Sequence, residues 1–209
     1  MICITGSNGK TSVKDWISSI LSNFFVTHSS FGNFNNHIGM PLSLARMKKN
    51  TEVCVLELGM NKPGEIEFLT QISKPDFSIL TNVGPAHLGN FKNIEEIVVE
   101  KSSIFKTSKN SVSIIPRDSN FFNLINRIAR KYSKTVLSFG SHINSDFRLI
   151  KSSRISDNIS ELEFKLLGKT VKVKTQNHSI HHHMNILLIL IIAHLLEVDQ
   201  KKVIQQITK

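Results

Sequence analysis

The feature that most constrains the fold is the segment Thr5-Gly6-Ser7-Asn8-Gly9-Lys10-Thr11, set between a short apolar run, Ile2 to Thr5, and a helical pattern from about Thr11 to Phe24. A strand that feeds a glycine-rich turn and then a helix leaves the first helical N–H groups without backbone partners. Glycines let phosphate oxygens approach such groups, and the positive end of the helix adds favourable charge. Lys10 has the reach for β- and γ-phosphates, and the Thr11 hydroxyl can ligate Mg²⁺. Gly6, Ser7, Asn8, Gly9, Lys10 and Thr11 are therefore nucleotide-binding candidates, with ATP and Mg²⁺ as the expected cofactors. The general phosphate-loop pattern has one more glycine where this chain has Ile4, so the loop is a shorter variant. The alternative, a chance glycine-rich turn, is disfavoured by the strand and helix that flank it.

The same alternation continues along the first two-thirds of the chain. Strands are expected at Val53 to Leu58, Phe77 to Thr81, Ser111 to Ile115 and Val136 to Phe139. Between them lie a helix starting near Gly64, one reaching from Asn93 to about Phe105, and one over Phe121 to Lys131. Asn93 followed by Glu96 reads as a capping box. This order predicts an α/β fold, a mostly parallel sheet flanked by helices of the P-loop NTPase type. From about Asp146 the pattern changes to a small antiparallel appendage: Phe147 to Ile150, Ile159 to Leu167 and Thr170 to Lys174, with a turn at Gly168-Lys169. Two helices follow, Met184 to Leu196 and Asp199 to Ile207, the second capped by Asp199.

A formal net charge of +10 raises the question of nucleic acid. The basic residues are scattered in short pairs such as Lys48-Lys49 and Lys201-Lys202, without a stripe, an aromatic RNA-binding signature or zinc-finger spacing, so no nucleic-acid partner is expected. Anionic small substrates, or a coding bias towards Lys, Ile and Asn, explain the charge as well. The two cysteines, Cys3 and Cys54, lie in apolar runs and supply no disulfide framework, which points to a reducing, cytoplasmic setting. The longest apolar run, Ile186 to Ala193, is far shorter than the ~20 residues of a membrane span, so no membrane insertion is expected.

Two more strand ends carry chemistry. Val53 to Leu58 delivers Glu57, and Phe77 to Thr81 runs into a loop with His87. Ligands of open α/β sheets bind beyond the carboxyl ends of the strands, so a phosphate loop, a carboxylate and an imidazole share one edge. That set suits Mg²⁺ held between protein and phosphates. Taken singly, Glu57 also reads as a strand-end surface acid and His87 as a loop hydrogen-bonder. Lys101 falls on the helix face of Ile94, Ile97 and Ile104. Pointing inward, it would lose basicity and could take up CO₂ as a carbamate; the residue pattern alone favours a stem that snorkels outward.

These residues sit in longer segments with a family resemblance. TGSNGKT, NFNNHIGMPLSL, ELGMNKPGEIEFL, TNVGPAHLGNF and EKSSIF occur in the order found in Mur ligases. The Asn35-Asn36 loop and the ELG-x-N-x-x-GEI segment look most like the member that adds D-alanyl-D-alanine. The resemblance implies an ATP-dependent amide ligase of peptidoglycan precursor synthesis that works through an acyl phosphate. It implies UDP-MurNAc-tripeptide and D-Ala-D-Ala as small-molecule substrates. Thr11 and Glu57 would bind one Mg²⁺, and His87 with a carbamylated Lys101 a second, which reverses the snorkelling preference. Asn35, Asn36 and Asn61 would face substrate, and Lys10, His87 and Lys101 would be catalytic.

The family's adenine-side helix opens with G-x-H-N-x-x-N, whereas this chain has Ser179-Ile180-His181-His182-His183-Met184-Asn185. His181 and Asn185 match, and Asn185 is kept as a nucleotide candidate. The three-histidine run is not expected to be a metal site, because adjacent helical residues point in different directions. Residues 1–209 correspond to the central ATP-binding domain of the family. The N-terminal UDP-sugar-binding and C-terminal ligase domains are not represented, and partners in trans would have to supply them. A non-catalytic nucleotide-binding module, or a truncated remnant of such a ligase, is the alternative reading. Folylpolyglutamate synthase fits the NNHIGMP and ELGMN segments poorly.

Overall fold

The computed structural model describes residues 1–85, 88–107 and 110–208. It divides into two compact units, Met1–Leu137 and Ser138–Lys209. In the first, five parallel strands stand in the order β2-β3-β1-β4-β5: β1 (Ile2–Thr5), β2 (Thr27–Ser29), β3 (Val53–Glu57), β4 (Phe77–Leu80) and β5 (Val112–Pro116). The central strand β1 is buried along its whole length, and so is β3. Burial on both faces explains why these strands read as unbroken apolar runs rather than alternating ones. Register places Ile4 opposite Glu57 and Thr5 opposite Leu80, so the loops after β1, β3 and β4 leave the sheet at one level.

Helices α1 (Lys10–Leu21), α2 (Gly39–Ala45), α3 (Glu65–Ser73) and α4 (Ile94–Ser102) connect these strands, and α5 (Phe122–Tyr132) follows β5. The core of the unit joins Cys3, Leu56 and Leu80 of the sheet to Met40, Ile66, Leu69, Ile97, Val98 and Ile125 of the helices. The expected cap of α4 is present, since Asn93 Oδ1 accepts from Glu96 N at 2.9 Å. The return contact is displaced by one residue, with Glu96 accepting from Lys92 N. The last turn of this helix, Ser103–Phe105, tightens to 3₁₀ geometry. α1 ends at Leu21, earlier than its apolar pattern suggests.

Two elements of this unit carry no strong sequence signal. β2 has three residues, too few for a periodicity. α2 opens Gly39-Met40-Pro41, which looks like a breaker. Proline in the first turn, however, has no N–H to lose there. Asn36 Oδ1 supplies the missing cap by accepting from Ile38 N and Gly39 N at 3.0 and 2.8 Å.

In the second unit the end of β6 (Thr135–Gly140) pairs in parallel with β7 (Phe147–Ser156). β7 then pairs antiparallel with β8 (Ile159–Leu166), which pairs antiparallel with β9 (Lys169–Thr175). β7 runs six residues beyond the expected end at Ile150, because its polar outer half is held by the β8 backbone rather than by burial. α6 (Ile180–Leu195) packs on β7 and β8, and its stretch Ile186–Ala193 is buried on every side. α7 (Gln200–Ile207) is capped by Asp199, as expected.

The β8–β9 turn is centred on Leu167-Gly168, one residue before its expected place. Both residues have positive φ, 43° and 97°, as a two-residue hairpin turn requires. Glycine takes that conformation freely, but leucine pays for the clash of its Cβ with the backbone. Leu167→Asn is therefore expected to raise stability by ~1 kcal/mol in thermal unfolding, the scale of that clash. A lower melting temperature would contradict the assigned turn.

Candidate active site

The β1–α1 loop is shaped by two glycines. Gly9 precedes α1 at φ 82°, where a side chain would be strained. Gly6 has φ 153°, and a Cβ there would lie 2.0 Å from Thr81 Oγ1. That close approach lets the loop after β4 stitch the phosphate loop down. Ser7 N donates to Asn82 O at 3.0 Å, and Asn8 N donates to Asn82 Oδ1 at 2.9 Å. The Thr81 hydroxyl donates to Asn8 O at 2.7 Å, and Gly84 N donates to Ser7 Oγ at 2.8 Å. The Ser7 and Asn8 amides are thus engaged by Asn82, which leaves the start of α1 as the anion-facing part of the loop. No acidic residue lies in the first turn of α1 to repel an anion.

Lys10 folds back over this loop, with Nζ donating to Gly6 O at 2.9 Å and to Ser7 O at 3.4 Å. Partial burial lowers its pKa, and the nearby Glu57 carboxylate opposes that shift. Glu57 itself is buried at the end of β3, with each carboxylate oxygen occupied. Oε2 accepts from the Thr11 hydroxyl at 2.7 Å, and Oε1 accepts from Asn35 Nδ2 at 2.6 Å. Asn35 is fixed in turn by its carbonyl, which accepts from Gly59 N at 2.8 Å.

Lys101 points inward. It is buried on α4, and its Nζ donates to Gly6 O at 3.1 Å, the same carbonyl that receives Lys10. Burial, seconded by the charge of Lys10, brings its pKa down to about 8, against the pull of Glu100. The snorkelling geometry favoured by residue pattern is therefore not the one adopted: the phosphate-loop carbonyl gives the amine a buried acceptor.

One cavity of about 520 Å³ gathers these groups. Its walls carry Lys10, Lys101, Asn35, Asn36, Asn61 and Glu65. The Asn61 loop is tied at one end by Glu65, which accepts from Asn61 N and from Lys62 N. It is tied at the other by the buried Glu100, which accepts from Gly64 N and Ile66 N at 2.8 Å each. Sequence reasoning passed over Glu100, Asn82 and the buried Lys14. All three bond mainly to backbone groups, which leave no pattern in the order of residues. His87 lies outside the described residues.

Asn185 sits half-buried on α6 in the second unit. Its histidine neighbours have local work. His183 is buried, donating from Nε2 to Asn177 O at 2.9 Å and taking Ser152 Oγ at Nδ1 at 3.3 Å. His182 Nε2 meets Thr175 Oγ1 at 3.0 Å, and burial lowers its pKa. Among the described residues no group of three or more His, Cys, Asp or Glu is arranged to hold a metal ion, so the run contributes no such cluster.

The sequence of residues 4–193 matches the family model of the Mur ligase middle domain. The chain belongs to the Mur ligase family. The UDP-N-acetylmuramoyl-tripeptide--D-alanyl-D-alanine ligase of Rickettsia prowazekii (strain Madrid E) is 37% identical over 194 residues, 90% of this chain and 43% of that protein. MurF from Acinetobacter baumannii superposes with a TM-score of 0.91 at 28% identity, covering 100% of this chain and 45% of the other. MurF ligase from Thermotoga maritima, solved in complex with ADP, gives a TM-score of 0.85 at 28% identity, covering 97% and 47%. This Mur ligase chain spans less than half the length of each of these relatives.

The lowered pKa of Lys101 has a consequence for stability. Between about 8 and the ordinary lysine value of 10.5 the unfolded chain holds more protons at this site, so stability rises with pH. Below that window the buried charge costs its full amount. In urea unfolding, the stability advantage of Lys101→Met over the wild type is expected to be level below pH 8 and to shrink from pH 8 to 10. A difference that stays flat across the window would contradict the buried, inward geometry.

Proposed function

We propose that the chain is the ATP-binding core of the Mur ligase that joins D-alanyl-D-alanine to UDP-MurNAc-tripeptide, acting in the cytoplasm. The observation that carries this reading is the single cavity in which Lys10, Lys101, Asn35, Asn36 and Asn61 converge. It adjoins the Thr11–Glu57 pair through the Asn35 bond. Mg²⁺ fits that pair, because a hydroxyl and a carboxylate 2.7 Å apart are hard oxygen donors at the mouth of a phosphate loop. ATP and Mg²⁺, when bound, supply the phosphoryl group and the charge neutralisation that turn a substrate carboxylate into an acyl phosphate, from which the amine of D-Ala-D-Ala displaces phosphate to form the amide.

The residues of the chain have distinct parts in this scheme. Lys10 exchanges the Gly6 and Ser7 carbonyls for β- and γ-phosphate oxygens, a stronger, charge-assisted bond. Thr11 and Glu57 would hold one Mg²⁺, with Gly6, Ser7, Asn8 and Gly9 shaping the cradle. Lys101, less basic than an ordinary lysine, would add CO₂ through its neutral amine, releasing one proton to solvent, and the resulting anionic carbamate would join His87 as a ligand of a second Mg²⁺. Asn35, Asn36 and Asn61 orient the peptide substrate along the cavity wall, so that catalysis is mostly positioning and electrostatics. Residues 1–209 act with the UDP-sugar-binding and C-terminal ligase domains that characterise the family, supplied in trans or within a longer chain. A second reading, a nucleotide-binding module without catalysis, is favoured by one feature: Ser179 and His182 replace the glycine and first asparagine of the family's pattern at the start of α6, and His182 is committed to Thr175.

Calorimetric titration with Mg²⁺ and a non-hydrolysable ATP analogue is expected to show binding by the wild type and its loss, about a hundredfold in affinity, in Lys10→Ala. ADP release that needs both UDP-MurNAc-tripeptide and D-Ala-D-Ala would separate the ligase from the non-catalytic module. No binding by a folded wild-type chain would overturn the proposal.

A further inference from the structure

Among the described residues Lys14 is the most buried lysine or arginine of the first unit, 1% exposed, and it has no part in the chemistry described above. It lies on α1 one turn beyond Thr11, on the same face of the helix. Its Nζ donates to Ser30 O at 2.8 Å and to Gly32 O at 2.9 Å, and it pairs with Asp15 at 2.9 Å. All three ammonium protons therefore have acceptors. The two carbonyls belong to the stretch that leaves edge strand β2 and rises to the rim of the cavity. Beyond them, Phe34 N donates to Phe31 O and Asn35 N donates to Asn33 O, which coils the segment tightly. Asn35 then reaches both Glu57 and Gly59.

We infer that Lys14 is a positioning residue: it anchors the root of the residue 30–36 loop to α1 so that Asn35 meets Glu57 and the asparagine wall of the cavity keeps its place. The physical reason is the cost of an unmade bond. Without the ammonium, the buried Ser30 carbonyl and the part-buried Gly32 carbonyl lose their donor, and the loop relieves this by lifting towards water. Lifting the root pulls Asn35 away from Glu57, and it also strips Gly59 N of its acceptor on the opposite wall. Thr11 and Lys14 thus act from one helix on the two sides of the same carboxylate, Thr11 directly and Lys14 through the loop. Calling this wall a substrate wall rests on the ligase reading; the anchoring itself does not.

The test is amide hydrogen exchange on the full chain without nucleotide, so its outcome is independent of the ATP titration that tests the ligase reading. In Lys14→Met, the amides of Phe34, Asn35 and Gly59 are expected to exchange roughly tenfold or more faster than in wild type, after scaling by the change at the β1 amides. Lys14→Arg, which keeps charge and donors, is expected to restore most of the protection at Gly59. The amide of Gly59 is the decisive one, since it reports on Asn35 from the separate loop after β3. Should Lys14→Met fail to fold, Lys14→Gln, with fewer donors, is judged by the same ratio. If Gly59 and Phe34 change no more than the β1 amides in the variant that folds, Lys14 serves packing alone and the inference is overturned.

Discussion

The site depends on one buried carboxylate. Glu57 ends the strand next to the central one, where no water is at hand to solvate it, so it must be paired. Its two oxygens take a hydroxyl from α1 and an amide from the loop before α2, and these two bonds set where the helix and the loop stand relative to the sheet. In the proposed function the same oxygens are the hard donors offered to a magnesium nucleotide. A bound ion would take over part of the work that Thr11 and Asn35 do in its absence, which makes the arrangement preorganised rather than idle.

The register of the sheet makes this economy possible. Ile4 faces Glu57 and Thr5 faces Leu80, so three successive loops emerge together and lock to one another. Gly6 is the hinge of that lock: with Thr81 Oγ1 where its Cβ would be, no other residue lets the loops after β1 and β4 close. Closure in turn exposes the Gly6 carbonyl to two ammonium groups, Lys10 and Lys101. Burial lowers the basicity of both, and the charge of Lys10 adds to the loss at the more deeply buried Lys101. The fold thus gathers positive charge at the loop proposed to take phosphate, and lowers the basicity of one amine there.

How much of this was legible in the sequence follows from what kind of bond is involved. The parallel strands, α1 and the phosphate loop were legible because apolar runs, glycine spacing and helical periodicity are written in side chains. Glu57 could be placed at a strand end, and Asn93 and Asp199 at helix starts, for the same reason. β2 and α2 were not, the first for shortness and the second because its glycine and proline hide in the first turn. Lys14 and Glu100 were missed because their partners are main-chain groups distant in sequence. Lys101 shows the limit most clearly: its place on an apolar face was visible, but the acceptor that turns it inward comes from a loop 95 residues away.

The measurement that tests the central claim most directly is water-proton relaxation with Mn²⁺ standing in for Mg²⁺, in the presence of the ATP analogue. It compares the wild type with Glu57→Gln, an isosteric change that keeps an acceptor but removes the charge. The account predicts a strong enhancement that depends on both nucleotide and protein in the wild type, and its collapse in Glu57→Gln. Equal enhancement in the two proteins would mean that the buried carboxylate only holds Thr11 and Asn35, and that the metal, if bound, is held elsewhere.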